Sequence, residues 1–138
     1  MAYDPDNIFA RIVRGEIPCH KVYEDADTIA FMDIMPQADG HTLVVPKAPG
    51  EDVFTTPPEA VAAAIRTAQK VARAVKKAFA PPGIMIAQLN GPAAGQSVFH
   101  LHFHVIPRYA GKDLGIHAAN PADPAVLAEH AARIRAAL

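Results

Sequence analysis

The sequence predicts one α+β domain built on an antiparallel sheet. Short apolar segments, rich in branched and aromatic residues, are separated by turn residues, and one long segment has a helical period. Strands that come in groups, with few helices between them, favour an antiparallel sheet. The 138 residues fit a single domain over 1–138, whose core we expect at about residues 7–110, with a C-terminal extension over residues 111–138.

The first half of the chain predicts a short helix and three strands. Residues 7–13 place their apolar side chains on one side of a helix that stops at Gly15. Residues 21–24, 28–33 and 41–46 are short, apolar and bounded by turn residues. We therefore expect antiparallel strands with short connections.

A long helix is predicted to follow. Thr56 as the cap, proline in the first turn and Glu59 three residues after the cap form the pattern of a capping box. The predicted apolar stripe consists of Val61, Ile65, Ala68, Ala72, Val75 and Phe79. The basic residues between them are predicted to form a solvated face: Arg66, Lys70, Arg73 and Lys77.

Two strands and a helix complete the predicted order. Residues 84–89 and 99–106 are predicted as strands, the second ending at Pro107. Residues 123–138 predict a terminal helix, with one apolar face made of Leu127, Ala131, Ile134 and Leu138.

Composition and charge exclude several classes of protein. A formal net charge of −1 with 51% hydrophobic residues argues against disorder and against binding of nucleic acid or an anionic membrane. Cys19 is the single cysteine, so no internal disulfide can form and a reducing compartment is expected. The first residues are acidic, unlike a secretory signal, and no segment is long and apolar enough to span a membrane. These features predict a soluble cytoplasmic protein.

Three of the seven histidines alternate within one short segment. Because side chains alternate along a strand, His100, His102 and His104 are predicted to share one face, and the apolar residues between them the other. A metal could take two neighbouring histidines but hardly all three, since residues four apart on a strand are separated by ~13 Å. No acidic residue or cysteine sits beside them in the sequence. A solvent-facing polar edge is a second interpretation.

The third interpretation is chemistry at phosphorus. A neutral imidazole is a competent nucleophile near pH 7 and can form a covalent phospho-imidazole. In this interpretation His102 attacks, His104 donates to the phosphate oxygens, and His100 orients the nucleophile. A phosphate cradle is predicted just upstream, in the Gly/Pro-rich residues 90–97, with backbone amides near Gly95 and side-chain donors from Gln96 and Ser97.

Residues 95–106 have the sequence GQSVFHLHFHVI, which closely resembles the signature of the histidine triad (HIT) family of nucleotide hydrolases and transferases. The resemblance continues in order through residues 8–9, 15–18, 30–34, 36–38 and 40–47. It covers roughly residues 7–110. It implies a five-stranded antiparallel sheet with one long and one short helix, to which the C-terminal helix is added, and a homodimer formed through the long helix and a strand.

The resemblance also implies a role for each matching residue. His102 is the nucleophile that takes the nucleoside monophosphate, His100 and His104 are its flanking partners, and His41 is a supporting fourth histidine. The phosphate and the leaving group are held by Asn90, Gln96 and Ser97. The ribose is contacted by Asp33 and Ile34. The base lies in an apolar pocket formed by Ile8, Phe9, Ile12 and Phe31.

The chain departs from the family pattern in two places. Zinc-containing members carry Cys-x-x-Cys near the start and a histidine after the Pro-Lys, where this chain has Asn7, Ala10 and Pro49. We therefore expect no structural zinc and no required cofactor. Residues 106–111 resemble the dinucleoside polyphosphate hydrolase (Fhit-like) branch, whereas residues 7–47 resemble the phosphoramidase (Hint-like) branch.

The resulting prediction is a homodimeric, purine nucleotide-binding hydrolase or nucleotidyl transferase. It would act without a metal at the α-phosphate of AMP or GMP conjugates, such as phosphoramidates of AMP with an amine or lysine, through a nucleotidyl-His102 intermediate. Three alternatives stay open from the sequence. They are a hydrolase of dinucleoside polyphosphates, a nucleotide-binding adaptor with vestigial activity, and a metal-binding protein that uses neighbouring triad histidines.

Overall fold

In the described part of the chain, five strands form a single sheet and three α-helices pack against it. The computed structural model of the protein describes residues 2–111 and 120–138. The helices are α1 (Ile8–Val13), α2 (Pro58–Phe79) and α3 (Pro124–Ala137). The strands are β1 (Lys21–Glu24), β2 (Thr28–Met32), β3 (Thr42–Pro46), β4 (Gly83–Ala87) and β5 (Phe103–Arg108), and a 3₁₀ turn at Pro92–Ala94 lies between β4 and β5.

The strands form one antiparallel sheet in the order β1-β2-β3-β5-β4. β1 and β4 are therefore the edge strands, and β5, which carries the end of the histidine segment, lies inside the sheet. This architecture confirms the predicted α+β class and the five-stranded HIT-like fold.

The two faces of the sheet are covered by different helices. On one face, alternate residues such as Ala30, Met32 and Val44 pack with α2 and α3 in the larger hydrophobic core. On the other face, Phe31 and Leu43 pack against α1. Because neighbouring residues of a strand point to opposite faces, the sheet separates the larger core under α2 and α3 from the smaller cluster under α1.

The histidine segment enters the sheet later than predicted. Residues 99–102 lie before the ladder, where the Leu101 amide donates to the Gly50 carbonyl at 2.9 Å, and β5 begins at Phe103. The strand then continues through Pro107, which we predicted would end it. β3 pairs only with residues 103–105 of β5, so Pro107 has a single neighbour, Ile84 of β4, and its missing N–H breaks no bond to β3.

The predicted alternation of side chains along this segment is nevertheless correct. Leu101, Phe103 and Val105 all lie in the core on the α2 side. His102 and His104 face the α1 side.

The start of α2 differs from the predicted capping box. The N-cap is Pro57, no side chain caps the helix, and the Thr56 hydroxyl donates to the Asp52 carbonyl at 2.7 Å. Pro57 and Pro58 have no N–H, so fewer backbone donors need a partner there and the hydroxyl is available to the preceding loop.

The buried stripe of α2 also differs from the predicted one. Ala68 and Val75 are buried as expected, but Ile65 is 42% exposed and the centre of the stripe is formed by Ala64 and Val71. The prediction gave weight to the larger side chains, whereas alanines let the helix approach the sheet. The predicted basic face is exposed.

The C-terminal helix packs on α2 and on β1, on the same face of the sheet as α2. Asp123 caps it through Ala125 N at 2.9 Å, and Leu127, Ala131 and Ile134 are buried as predicted, while Leu138 is 49% exposed because the helix ends before it. Within residues 2–111 and 120–138, no helix has the length and apolarity needed to cross a membrane.

Candidate active site

A cavity of about 290 Å³ lies between α1 and the sheet. Its apolar wall contains all the residues predicted for the base pocket: Ile8, Phe9, Ile12 and Phe31. The rings of Phe9 and Phe31 meet edge to face with centroids 5.5 Å apart. Ile34 and Asp33, predicted for the ribose, lie on the same wall, and Ile34 is 56% exposed at the mouth. The structure thus brings these six residues together around one space.

His102 lies at the polar end of this cavity. Its Nδ1 is 2.7 Å from the backbone carbonyl oxygen of His100, which can only accept, so in the neutral ring Nδ1 carries the proton and Nε2 carries the lone pair. His102 is only 5% exposed, and its ring lies edge-on to Phe9, with centroids 4.9 Å apart. The arrangement presents a nucleophilic nitrogen next to an apolar slot.

A chain of hydrogen bonds determines which ring nitrogen of a neutral His104 carries the proton. The Gln37 amide donates to His41 Nδ1 at 3.0 Å, so the proton of a neutral His41 is on Nε2. His41 Nε2 lies 3.0 Å from His104 Nδ1 and donates to it, which leaves the proton of His104 on Nε2. The His102 and His104 rings are 5.0 Å apart between centroids. An imidazole nitrogen with a lone pair, on His102, and an imidazole N–H, on His104, are thus carried by neighbouring rings.

Gly40 makes the position of His41 possible. Its φ of +91° is a conformation that favours glycine, and a Cβ there would lie 3.1 Å from the Phe79 ring. This turn leads directly into β3, where Leu43 pairs with His104 of β5. The fully buried His41 is thus delivered beside His104 by the backbone.

Asp33 has a second contact besides the predicted one with a ribose. Its Oδ2 is 3.4 Å from His41 Nε2, and its Oδ1 accepts the Met35 amide at 2.8 Å. The carboxylate thus joins the cavity wall to the buried histidine pair.

The His100 side chain is bonded away from His102, so the predicted role of His100 in orienting the nucleophile stays a prediction and would act through its backbone. Its Nε2 is 2.8 Å from the Pro46 carbonyl and its Nδ1 is 2.7 Å from the Tyr3 hydroxyl, both away from His102. Burial lowers the pKa of His100, partly offset by its bond to the Pro46 carbonyl, so the ring is held neutral. The contact to His102 comes from the His100 backbone.

The loop over residues 90–97 is braced mainly by its own polar side chains. Gln96 Nε2 donates to Glu51 O at 2.6 Å and to Val98 O at 3.1 Å, and its Oε1 accepts the Gly91 amide. Both Nε2 hydrogens are used within the protein, so Gln96 shapes the loop, and contact of its side chain with a phosphate stays a prediction. Ser97, which is exposed, lies on the cavity wall.

Asn90 and Gly95 hold the same loop in shape. Asn90 accepts the Val53 amide at 2.8 Å and exchanges hydrogen bonds with Gln88. Gly95, with φ of +98°, ends the 3₁₀ turn and donates to Pro92 O at 3.0 Å. Contact of either residue with a phosphate stays a prediction.

The residues at the family's zinc positions do not fit a zinc ion. Asn7 uses its Oδ1 to cap α1 through Ala10 N at 2.9 Å, and the side chains of Ala10 and Pro49 have no ligand atom. Cys19, the single cysteine, lies on the wall of the cavity. The expectation of no structural zinc rests on this chemistry.

A different group could in principle hold a metal, since ligand atoms of Asp33, His41 and His104 lie within 4.8 Å of one another. The sequence placed no acidic residue near the triad, and the fold supplies one. However, the Gln37 amide already occupies His41 Nδ1, so a cation at Nε2 would require His41 to lose its only ring proton. The hydrogen bonds oppose metal binding there.

Several residues around the site were not found from the sequence. Gln37 acts through its backbone amide, which no residue type reveals. Cys19 and His20 lie on the cavity wall beside Pro18, although nothing in their spacing indicated it. Tyr3 precedes every motif, and its only sequence signal is an aromatic hydroxyl near the start of the chain.

Fold and site together define an α+β protein in which two buried histidines, His102 and His104, lie beside an apolar slot. The HIT domain family model matches residues 14–111, and the chain belongs to the HIT family, whose members are nucleotide hydrolases and transferases.

Three similar proteins place the chain within this family. A Hit-like protein involved in cell-cycle regulation from Bartonella henselae is 50% identical, with a TM-score of 0.93 over 99% of this chain and 100% of that one. A Zn-bound histidine triad family protein from Mycobacterium smegmatis is 39% identical, with a TM-score of 0.84 over 96% and 92%. The adenylylsulfatase HINT3 from Arabidopsis thaliana is 40% identical over 75% of this chain and 52% of its own length.

Proposed function

We propose that the protein hydrolyses conjugates of purine nucleoside 5′-monophosphates, with AMP or GMP amides as the preferred class. The observation that carries the proposal is the hydrogen bond from His102 Nδ1 to the His100 carbonyl, 2.7 Å long, which leaves the Nε2 lone pair at the cavity. A neutral imidazole held in this way can attack phosphorus without a separate base.

The reaction then proceeds in two steps. In the first step the amine nitrogen takes a proton from solvent, His102 Nε2 forms a bond to the α-phosphorus, and the bond from phosphorus to the leaving amine breaks. In the second step water attacks the phosphorus, the bond to His102 breaks, and the proton of the water passes to solvent. The Gln37–His41–His104 chain supports both steps, because it keeps the ring proton of His104 on Nε2, where it donates a hydrogen bond to a phosphate oxygen.

The cavity suits a nucleoside. An aromatic base fits between the apolar side chains of Phe9, Ile12 and Phe31, where stacking and burial supply affinity. The Asp33 carboxylate can accept from ribose hydroxyls, and Ser97 can donate to phosphate. The adenylylsulfatase relative has a named activity on an adenylyl group, which supports an AMP conjugate as substrate.

We also propose that two copies pair through α2 and β4. β4 is an edge of the sheet, and Ile86 of β4 and Ile65 of α2 are 44% and 42% exposed beside each other on one groove. Covering them would remove apolar surface from water. Sedimentation of the wild type should show a dimer, and Ile86→Lys should dissociate it. The control variant Val126→Lys, at an exposed position of α3, should leave the dimer intact. A wild-type protein that sediments as a monomer would contradict the proposed pairing.

The function is tested by comparing substrates at equal enzyme concentration. We expect faster turnover of an AMP amide than of a dinucleoside polyphosphate, since a single nucleoside slot is present on the described chain. Faster hydrolysis of the dinucleoside polyphosphate would favour that alternative. AMP binding without turnover of either substrate would favour an adaptor.

A further inference from the structure

The N-terminal segment places Tyr3 against the histidine segment. Residues 2–7 precede the part of the chain that matches the family model, which begins at residue 14. The segment is anchored because Arg14 Nη1 donates to Pro5 O at 2.6 Å and the Asn7 amide donates to Asp4 O at 3.2 Å. From there the half-buried Tyr3 reaches His100, with ring centroids 5.7 Å apart.

The direction of the hydrogen bond between Tyr3 and His100 follows from the other side of the ring. The Pro46 carbonyl accepts from His100 Nε2 at 2.8 Å, so that nitrogen carries the proton of the neutral ring. Nδ1 is then an acceptor, and the Tyr3 hydroxyl donates to it at 2.7 Å. Because His100 is only 1% exposed, an Nδ1 without a donor would be a buried polar atom without compensation.

His100 in turn holds the nucleophile through its backbone. Its carbonyl accepts from His102 Nδ1 at 2.7 Å, and the next amide, that of Leu101, is tied to Gly50 O at 2.9 Å. Gly50 must be glycine, because a Cβ there would lie 2.1 Å from Thr56 Oγ1. The loop that carries Gly50 lines one cavity together with Tyr3.

We propose that Tyr3 is a positioning residue for the histidine nucleophile. By donating to His100 Nδ1 it holds the His100 ring in one tautomer and one orientation, and thereby fixes the carbonyl that orients His102. The role rests on the proposed function, because it serves attack by His102 on phosphorus. It assigns a task to a residue outside the triad motif and outside the residues that match the family.

The first test is ¹⁵N and ¹H NMR of the histidine rings in Tyr3→Phe, which removes only the hydroxyl. We expect the His100 Nδ1 resonance to move toward that of a nitrogen without a donor, and the His102 Nδ1 proton to exchange faster with water. Tyr109→Phe is the matched control, since its hydroxyl donates to Asp39 O at 3.2 Å away from the triad. The control should leave both signals unchanged.

The second test is steady-state turnover of an AMP amide by the same variants. Loss of one buried hydrogen bond that positions a nucleophile should lower kcat about threefold to tenfold in Tyr3→Phe, with KM changed less than about twofold. Tyr109→Phe should keep both constants.

Three results would overturn the role of Tyr3. They are an unshifted His100 Nδ1 resonance, unchanged exchange of the His102 proton, or a kcat equal to that of Tyr109→Phe. If the wild type does not turn over the AMP amide, the proposed function fails, but the NMR measurements still decide whether Tyr3 positions His102.

Discussion

The polar end and the apolar wall of the cavity are held in place by different forces. At the polar end, His41, His102 and His104 are buried and joined to backbone groups or to each other by directional hydrogen bonds of 2.7–3.0 Å. On the apolar wall, Phe9 and Phe31 are positioned by packing, and Ile34 remains exposed at the mouth. The difference predicts that changes at the polar end alter kcat and changes on the wall alter KM.

The largest effect is expected for His102→Ala. Removing the nucleophile should lower kcat for an AMP amide by about 10³-fold or more, because the two-step path through a covalent intermediate is lost. Calorimetric titration with AMP should show a Kd within about threefold of the wild type, since the apolar wall is intact. Wild-type turnover in this variant would show that another residue attacks phosphorus.

His41→Ala is expected to have the second-largest effect on kcat. Without His41 Nε2–H on its Nδ1, His104 can shift to the other tautomer, and kcat should fall about 10-fold to 100-fold while KM changes little. Turnover across pH, together with AMP affinity, checks this. A rise in KM with unchanged kcat would mean that His41 serves binding, which would break the division between the two ends.

The apolar wall can be tested with Ile34→Ala. This side chain should lose its exposure when a nucleoside binds, so its truncation should raise KM about threefold to tenfold with kcat unchanged. Val126→Ala is the matched control, because Val126 is 40% exposed on α3 and lies outside the cavity. Equal constants in the two variants would remove Ile34 from the binding wall.

The smallest effect concerns stability against pH. Burial lowers the pKa of His100 in the folded state, so the unfolded chain binds more protons as pH falls below about 6.5, and stability decreases there. Urea unfolding at pH 7.5 and 5.5 should show a larger loss for the wild type than for His100→Gln. A loss of the same size in both would mean that other groups cause it.

The sequence predicts the apolar wall of the cavity better than it predicts the polar end. Helical and strand periodicity predicted the order of elements, and the alternation around His102 correctly assigned Leu101 and Phe103 to the core. The apolar wall residues Ile8, Phe9, Ile12 and Phe31 were expected around one pocket because the chain resembles the HIT family, and their contact with a base stays a prediction. These residues meet around one cavity because α1 packs on the sheet.

The hydrogen bonds of the polar end could not be predicted in the same way. The groups that set the ring protons are the Gln37 amide and the His100 carbonyl, and every residue has such groups. The side chain of His100 follows a path to Tyr3 and Pro46 because residues 99–102 precede the ladder instead of belonging to it. The effects of Pro57 and Pro107 also depend on the fold. Pro57 and its loop determine which groups at the start of α2 need a partner, and the pairing of β5 determines whether the missing N–H of Pro107 breaks a bond.

The central claim is that His102 attacks phosphorus, and intact-protein mass spectrometry after rapid acid-free quenching within the first turnover tests it most directly. With an AMP amide in excess, the wild type should carry one adenylyl group, and fragmentation should place it on His102. An adduct located on another residue, or substrate consumed with no adduct at any time while His102→Ala still reacts, would contradict the account.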